Sequence, residues 1–301
     1  MKALLLAAGY GTRLKPLTDS IPKPLTLFMG RPILDLVYSQ VTGAGIQSVA
    51  VNTHHLPEMI RLHIQNSPLY KQPMHISYES EILGTGGAIN PLRLWIGDED
   101  LLIFNGDIVA SLAISDFIIA YQETKALASM VLIPYKEGTT PVYIQGDHVV
   151  AIGDEACGAE KRTFAGIHIL SQAFIREVPK AGFFSVIDTY KRLLKAKAPI
   201  LAFEHASYWA DLGIPHDYLE AHQILLQHPE RSRLCQALQL SEESWRYDHA
   251  QASLFVDCEP ILGFKNSFVF GPVQVDQPIQ IETCIVYPHS HVTKHSQDQG
   301  K

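Results

Sequence analysis

The chain has 301 residues, of which 47% are hydrophobic, and its formal net charge is −7 with a pI near 6.0. This length and composition suffice for one large α/β domain or for a domain with an appendage. The acidic balance argues against a general nucleic-acid-binding protein, which would carry a basic patch. The four cysteines have no zinc or disulfide spacing, and the first apolar run is too short for a signal peptide or a membrane span. We therefore predict a cytoplasmic protein without nucleic-acid or membrane partners.

In chain order, strand-like and helix-like patterns alternate. Residues 2–8 form a short apolar run that ends at glycine, which is typical of a buried parallel strand. The repeated alternation predicts an α/β fold with a doubly wound, mostly parallel sheet. The further predicted strands are 48–52, 75–78, 101–104, 129–134, 163–170 and 200–203; the predicted helices are 33–44, 57–64, 84–95, 186–195 and 215–226; and residues 142–152 are predicted to form a hairpin around Gly146-Asp147.

Three loops follow predicted strands, namely residues 9–13, 79–87 and 105–107. Ligands of such sheets bind outside the carboxyl ends of the strands, so the three loops should form one site. The first loop contains two glycines, which let the backbone come close to a ligand, and the cations Arg13 and Lys23 add positive charge beside them. This combination predicts a polyphosphate site. Asp107 and Asp211 stand where carboxylates could hold Mg²⁺ beside phosphates. An ordinary turn or helix cap is the alternative interpretation of each aspartate.

Together these motifs resemble those of the sugar-1-phosphate nucleotidyltransferases (NDP-sugar pyrophosphorylases). The resemblance covers about residues 1–227 and implies a Rossmann-like nucleotidyltransferase fold for that domain. It is closest to the groups that make GDP-mannose or GDP-heptose and to N-acetylmuramate-1-phosphate uridylyltransferase. The matching motifs are Leu6-Ala7-Ala8-Gly9-Tyr10-Gly11-Thr12-Arg13-Leu14, Pro16-Leu17-Thr18, Pro22-Lys23-Pro24-Leu25, Gly84-Thr85-Gly86-Gly87, Asn105-Gly106-Asp107 and Trp209-x-Asp211-x-Gly213-x-Pro215.

The resemblance implies an enzyme that transfers a nucleotidyl group from a nucleoside triphosphate (NTP) to a sugar 1-phosphate and releases pyrophosphate, with Mg²⁺ as cofactor. It also implies roles for individual residues. Arg13, Lys23 and Asp107 would be catalytic, and Asp107 and Asp211 would hold the metal. The nucleotide would be bound by Ala7, Ala8, Gly9, Gly11, Thr12, Arg13, Glu81, Gly84 and Thr85, and the sugar by Asn105 and Gly166.

Three functional interpretations remain open. A carboxylate such as Glu81 could accept hydrogen bonds from the edge of guanine, which favours GTP with mannose or heptose 1-phosphate. The same residue type occurs in the uridylyl relatives, so a uridylyltransferase acting on N-acetylmuramate 1-phosphate is the alternative. The family's Glu-Lys-Pro motif is absent before Gly166, which leaves the identity of the sugar open. A non-catalytic nucleotide-sugar-binding regulatory subunit is the third, although such a subunit would be expected to have lost Arg13, Lys23 or a metal aspartate.

Residues 228–301 are predicted to be a linker followed by a β-rich extension. Residues 228–232 are polar and contain a proline, which indicates a linker. Apolar residues then recur about every six positions, which favours a short left-handed β-helix, with a small β-cap packed on the main domain as the alternative. Several nucleotidyltransferases use such tails for oligomer contacts, so the extension could make the protein a homo-oligomer. The recurring positions are Phe255, Ile261, Phe268, Val273, Ile279, Ile285 and Val292, with Gly263 and Gly271 between them.

Overall fold

The computed structural model describes residues 1–124, 126–153, 158–261, 264–275 and 280–293. Within these residues the strands are β1 (Lys2–Leu6), β2 (Leu27–Phe28), β3 (Arg31–Pro32), β4 (Val49–Thr53), β5 (His75–Tyr78), β6 (Leu101–Asn105), β7 (Ile108–Ala110), β8 (Ala128–Pro134), β9 (Pro141–Gln145), β10 (His148–Ile152), β11 (Glu160–Leu170), β12 (Ile200–Glu204), β13 (Trp209–Asp211), β14 (Trp245–Asp248), β15 (Ser253–Val256), β16 (Phe264–Lys265), β17 (Phe268–Phe270), β18 (Gln274–Val275), β19 (Ile281–Glu282), β20 (Ile285–Val286) and β21 (His291–Val292).

The α-helices of the same residues are α1 (Ile33–Gly43), α2 (Pro57–Asn66), α3 (Gly84–Gly87), α4 (Arg93–Ile96), α5 (Ile114–Gln122), α6 (Gln172–Glu177), α7 (Val186–Lys195), α8 (Pro215–Gln227) and α9 (Arg231–Ala237). Short 3₁₀ turns occupy Thr12–Leu14, Leu17–Asp19, Lys23–Leu25 and Asn90–Leu92. No helix in the described part of the chain is both long and apolar enough to span a membrane.

The main sheet has the strand order β5-β4-β1-β6-β11-β8-β12-β10-β9. Strands β5, β4, β1 and β6 pair in parallel, and so do β8 and β12. Strand β11 runs antiparallel between β6 and β8, and β9 and β10 form the predicted antiparallel hairpin. The expected mostly parallel sheet is therefore a mixed one. An apolar run has the same pattern in either direction, so the sequence did not show that β11 is reversed.

Both faces of the sheet are covered, which explains why its central strands are continuously apolar. Successive side chains of a strand point to opposite faces, so Leu4 and Leu5 enter different cores, and both are fully buried. Ile103 and Phe104 of the neighbouring strand β6 are divided between the two cores in the same way. The carboxyl ends of β1, β4 and β6 thus lie side by side at one edge of the sheet.

The predicted helix from residue 84 to 95 is wrong as a single element. The chain forms only the four-residue helix α3, then the 3₁₀ turn Asn90–Leu92 and the short helix α4. Pro91 lacks the N–H that a continuing helix would use, and the three glycines of α3 have low helix propensity. The apolar spacing of this segment reflects packing of three short turns against the sheet.

The C-terminal part folds back onto the rest of the chain. Helix α9 begins inside the predicted linker, and its Leu234 is buried in the same apolar core as helix α1. Three sets of short strands pair in parallel, namely β15-β17-β20, β16-β19 and β18-β21. Paired residues such as Phe268 and Ile285 are 17 positions apart. This pairing shows stacked parallel turns, whereas a left-handed β-helix stays a prediction; Gly263 and Ile279 lie outside the described residues.

Candidate active site

A cleft of about 210 Å³ opens at the carboxyl edge of strands β1, β4 and β6. Strand β1 ends at Leu6, and the next three residues line the cleft. Ala7 and Ala8 are buried, whereas Gly9 is exposed. Gly84 and Thr85 line the same cleft. The full lining is Leu6, Ala7, Ala8, Gly9, Lys23, Pro24, Asn52, Glu79, Ile82, Gly84, Thr85, Asn105, Gly106 and Asp107.

A chain of buried hydrogen bonds fixes the floor of this cleft. Ala7 N–H donates to Asn52 Oδ1 at 2.7 Å, and Asn52 Nδ2 donates to Glu79 Oε1 at 2.8 Å. The other oxygen of Glu79 accepts from Leu83 N–H at 2.9 Å. Glu79 is only 2% exposed. Asn52 and Glu79 were missed by the sequence analysis, although both stand at the carboxyl ends of strands β4 and β5, where the site was expected.

Four residues predicted to bind the nucleotide, namely Gly11, Thr12, Arg13 and Glu81, do not line this cleft in the described structure, and Arg13 lines a second cleft instead. Glu81 is exposed, and the glutamate that lines the cleft is Glu79. Thr12 is also exposed. Gly11 instead turns the loop: its φ is +63°, and a Cβ there would lie 2.8 Å from Thr18 Cγ2. The two carboxylates are close in sequence, but only the first follows β5 directly.

A matched pair of variants compares the two carboxylates. We expect Glu79→Gln to raise the KM for NTP about tenfold and to lower the Tm, because an amide cannot accept both hydrogen bonds that the carboxylate accepts. Glu81→Gln should change neither value appreciably, since its side chain is exposed. Steady-state kinetics and thermal denaturation would measure both. If Glu81→Gln alone raised the KM, the nucleotide-binding role first predicted for Glu81 would be restored.

The glycines of the Gly84-Thr85-Gly86-Gly87 motif also have a packing role. A Cβ on Gly86 would lie 2.4 Å from the ring of Phe184, and one on Gly84 would lie 2.5 Å from Phe184 O. Thr85 Oγ1 accepts a hydrogen bond from Val186 N–H at 3.1 Å. The motif therefore joins the cleft wall to the start of helix α7.

Lys23 and Asp107 meet at the deep end of the cleft. Lys23 Nζ donates to Asp107 Oδ2 at 2.6 Å, and Lys23 is 9% exposed. The turn before Asp107 is tight, because Gly106 N–H donates to Leu6 O at 2.8 Å. A Cβ on Gly106 would lie 2.3 Å from that same oxygen, so the turn requires glycine. The ion pair thus connects the loop after β1 to the end of β6.

Asp211 is brought to the same place by a short antiparallel ribbon. Strand β13 pairs with β7, with Asp211 opposite Ile108, and Leu212 N–H donates to Asp107 O at 2.9 Å. Asp211 Oδ1 is buried and accepts no hydrogen bond from the described residues. Burial raises the pKa of Asp211, and the negative charge of Asp107 raises it further.

The donor set around Asp107 and Asp211 suits a divalent cation. Hard divalent cations prefer carboxylate oxygens, and the unpaired buried oxygen of Asp211 provides one. Arg13 lies close by, since a Cβ on Gly213 would be 2.8 Å from both Arg13 Nη2 and Asp211 Oδ1. The cations and carboxylates expected to handle phosphate and metal are therefore grouped together.

A second cleft, of about 400 Å³, continues from the first on the other side of Asp107. Asn105 and Asp107 line both clefts. Gly166 has a φ of +78°, and a Cβ there would lie 2.8 Å from Asn105 Nδ2, so the two predicted sugar-site residues are in contact. The remaining lining is Arg13, Ile108, Thr139, Thr140, Val142, Ile152, Thr163, Phe164, Ile187, Trp209 and Asp211.

Comparison with known proteins identifies a family that this chain resembles. Residues 2–148 match the nucleotidyl transferase family model. This part of the chain is therefore similar to the nucleotidyl transferases. The resemblance to sugar-1-phosphate nucleotidyltransferases that the motifs indicated is thereby confirmed. The matched residues include β1, β4, β6 and Asp107, whereas Asp211 lies beyond them.

Similarity to curated relatives extends over more of the chain than this family match. A mannose-1-phosphate guanylyltransferase of Mycobacterium tuberculosis is 27% identical over 232 residues, which cover 75% of this chain but 64% of that protein. A D-glycero-alpha-D-manno-heptose 1-phosphate guanylyltransferase of Aneurinibacillus thermoaerophilus is 29% identical over 234 residues, covering 76% of this chain and 99% of that protein. Among solved structures, HddC from Yersinia pseudotuberculosis complexed with GMP-PN has a TM-score of 0.60 at 26% identity, covering 74% of this chain and 98% of that one.

Proposed function

We propose that the protein transfers the guanylyl group of GTP to mannose 1-phosphate or heptose 1-phosphate, releasing pyrophosphate. The observation that carries the proposal is that two clefts meet at Asp107, with Lys23, Arg13 and Asp211 around the junction. A nucleotide in the first cleft and a sugar phosphate in the second would place their phosphates together there. The names of the guanylyltransferase relatives support the same reaction.

In the proposed reaction, a phosphate oxygen of the sugar 1-phosphate attacks the α-phosphorus of the nucleotide in line with the departing pyrophosphate. Lys23 and Arg13 would hold phosphate oxygens and offset their charge, because an ammonium has three donors and a guanidinium has five. No protein nucleophile is needed, and positioning and charge neutralisation provide most of the rate enhancement. Asp107 and Asp211 would hold Mg²⁺, which when bound neutralises negative charge on the phosphates.

The lining of each cleft supports the proposed substrates. A carboxylate oxygen has two acceptor sites, so Glu79 can accept from guanine while keeping its bonds to Asn52 and Leu83. In the second cleft, the hydroxyls of Thr139 and Thr163 bond to each other and to the backbone of Lys136, and Thr140 adds a further hydroxyl to a polar, uncharged wall that suits a neutral polyol. Arg13 is the one cation among the described lining residues, and it lies on the phosphate side. N-acetylmuramate carries a carboxylate that would need a cation of its own, so we favour a neutral sugar.

We further propose that residues 1–227 form the catalytic domain and that residues 228–301 form an extension. The parallel pairing at 17-residue offsets supports a short β-helix in this extension. Homo-oligomer contacts through the extension and a cytoplasmic location stay predictions.

A substrate screen tests the proposed reaction. We expect purified protein with Mg²⁺ to release pyrophosphate from GTP only when mannose 1-phosphate or heptose 1-phosphate is present. UTP, and glucose or N-acetylmuramate 1-phosphate, serve as comparisons. Turnover of UTP with N-acetylmuramate 1-phosphate would replace the proposal with the uridylyltransferase alternative. Calorimetric binding of a nucleotide without turnover of any pair would instead indicate a regulatory subunit.

A further inference from the structure

The backbone of Lys23 is tied to the hairpin that follows it. After the 3₁₀ turn Lys23–Leu25, Thr26 donates to Lys23 O twice, from its amide at 3.0 Å and from its hydroxyl at 2.8 Å. Thr26 O in turn accepts from Ile33 N–H at 3.1 Å, which closes the hairpin of β2 and β3. Thr26 therefore links the hairpin to the backbone of Lys23 by hydrogen bonds.

Leu27 in β2 needs hydrogen-bond partners from outside this hairpin. It lies opposite Pro32, beside the bonded pair of Thr26 and Ile33. In an antiparallel pair, bonded and non-bonded positions alternate, so the N–H and C=O of Leu27 face away from β3. Buried backbone groups without partners are costly, and the position of β2 depends on what binds them.

Two tyrosines bind both backbone groups of Leu27. Leu27 N–H donates to Tyr287 Oη at 3.0 Å, and Tyr218 Oη donates to Leu27 O. The two hydroxyl oxygens are 2.6 Å apart. Because the hydroxyl proton of Tyr218 is directed to the carbonyl, Tyr287 donates to Tyr218, and the three hydrogen bonds form a closed ring. Burial raises the pKa of Tyr287 to about 12, so its hydroxyl keeps the proton that the ring needs.

Tyr287 comes from the C-terminal extension, whereas Tyr218 comes from helix α8. The extension also surrounds the hairpin by packing. A Cβ on Gly30 would lie 2.7 Å from Val256 Cγ1. At the hairpin turn, Met29 N–H donates to His222 Nε2 at 3.2 Å, and the ring of His222 lies 5.0 Å from that of Phe268. The hairpin after Lys23 is thus enclosed between α8 and the extension.

We infer that Tyr287 is a positioning residue for Lys23, through which the C-terminal extension completes the active site of its own chain. The path runs from Tyr287 to the amide of Leu27, through Thr26 to Lys23, and from Lys23 Nζ to Asp107. The inference rests on the proposed function for its effect on turnover, because Lys23 is the cation expected at the transferring phosphate. The contact itself does not depend on that function.

The test compares Tyr287→Phe with Tyr121→Phe in the full-length protein. Both changes remove a hydrogen-bonded hydroxyl, but that of Tyr121 donates to Asp100, at 3.0 Å, and not to a residue of the Lys23 hairpin. We expect Tyr287→Phe to lower kcat about tenfold while both KM values change less than about twofold. A displaced Lys23 would stabilise the transition state less, with little effect on the binding of the substrates. Tyr121→Phe should keep kcat, whatever its effect on the Tm.

Amide hydrogen exchange measured by mass spectrometry gives a second readout that needs no turnover. Peptides covering residues 20–30 should exchange faster in Tyr287→Phe than in the wild type, and should not do so in Tyr121→Phe. Wild-type exchange in this segment, or an equal loss of kcat in both variants, would overturn the inference. If the wild type turned over no substrate pair, the proposed reaction would fail, and the exchange measurement would still decide whether Tyr287 holds the hairpin.

Discussion

Asp107→Asn is expected to lower turnover roughly 10³-fold, because it removes a charged metal ligand and the ionic partner of Lys23. The fold should be retained, since an amide oxygen can still accept from Lys23 Nζ. The Tm should nevertheless fall, because Lys23 is almost buried and would lose the negative charge beside it. Pyrophosphate release, far-ultraviolet circular dichroism and thermal denaturation measure these effects.

Asp98→Asn is a suitable control for this change, because Asp98 is exposed and lies outside both clefts. It should leave turnover and Tm at wild-type values. Unchanged turnover in Asp107→Asn would refute its assignment as a metal ligand and would return it to the ordinary turn interpretation.

Asp211→Asn is expected to lower turnover by a similar factor but to raise the Tm of the metal-free protein by roughly 1–3 °C. Burial and the charge of Asp107 both disfavour the ionised carboxylate, and they raise its pKa in the folded state. An acid whose folded pKa is raised destabilises the protein above that pKa, and the penalty disappears as the pH falls below the unfolded pKa. The gain in Tm should therefore be present at neutral pH and should vanish in acid.

Thermal denaturation in the presence of a chelator, at neutral and acidic pH, measures this gain. Added Mg²⁺ should reverse the order of stability, because it should raise the Tm of the wild type more than that of the variant. A lower Tm for Asp211→Asn in the chelator at neutral pH would contradict the proposed repulsion between the two carboxylates.

The sequence predicted which loops meet at the edge of the sheet more accurately than it predicted the strand directions. Apolar runs ended by polar loops placed β1, β4 and β6, and the carboxyl-edge rule then brought the loops around Gly9 and Asp107 together. Strand direction was not encoded in those runs, so the reversal of β11 was found only in the structure. The single helix expected from Gly84 does not form, because glycine and proline interrupt it. Apolar spacing alone did not distinguish these short turns from one helix.

The position of Glu81 outside the first cleft has a similar cause. Glu81 and Glu79 are two positions apart in the sequence, and only the end of β5 determines which one turns inward. The sequence could not connect Tyr287 with Lys23. The link between them depends on the hydrogen bond between Leu27 and Tyr287, which are 260 positions apart. Such contacts depend on how the extension folds back, and local pattern carries no information about that.

The two clefts share Asn105 and Asp107 as a common wall. In the proposed reaction, each substrate occupies one cleft, but the nucleotide sugar that forms spans both. The product then retains the nucleoside contacts of one substrate and the sugar contacts of the other, within a single molecule. Its departure must break both sets at once, so release of the nucleotide sugar should be slow, and accumulated product should compete with both substrates for the enzyme.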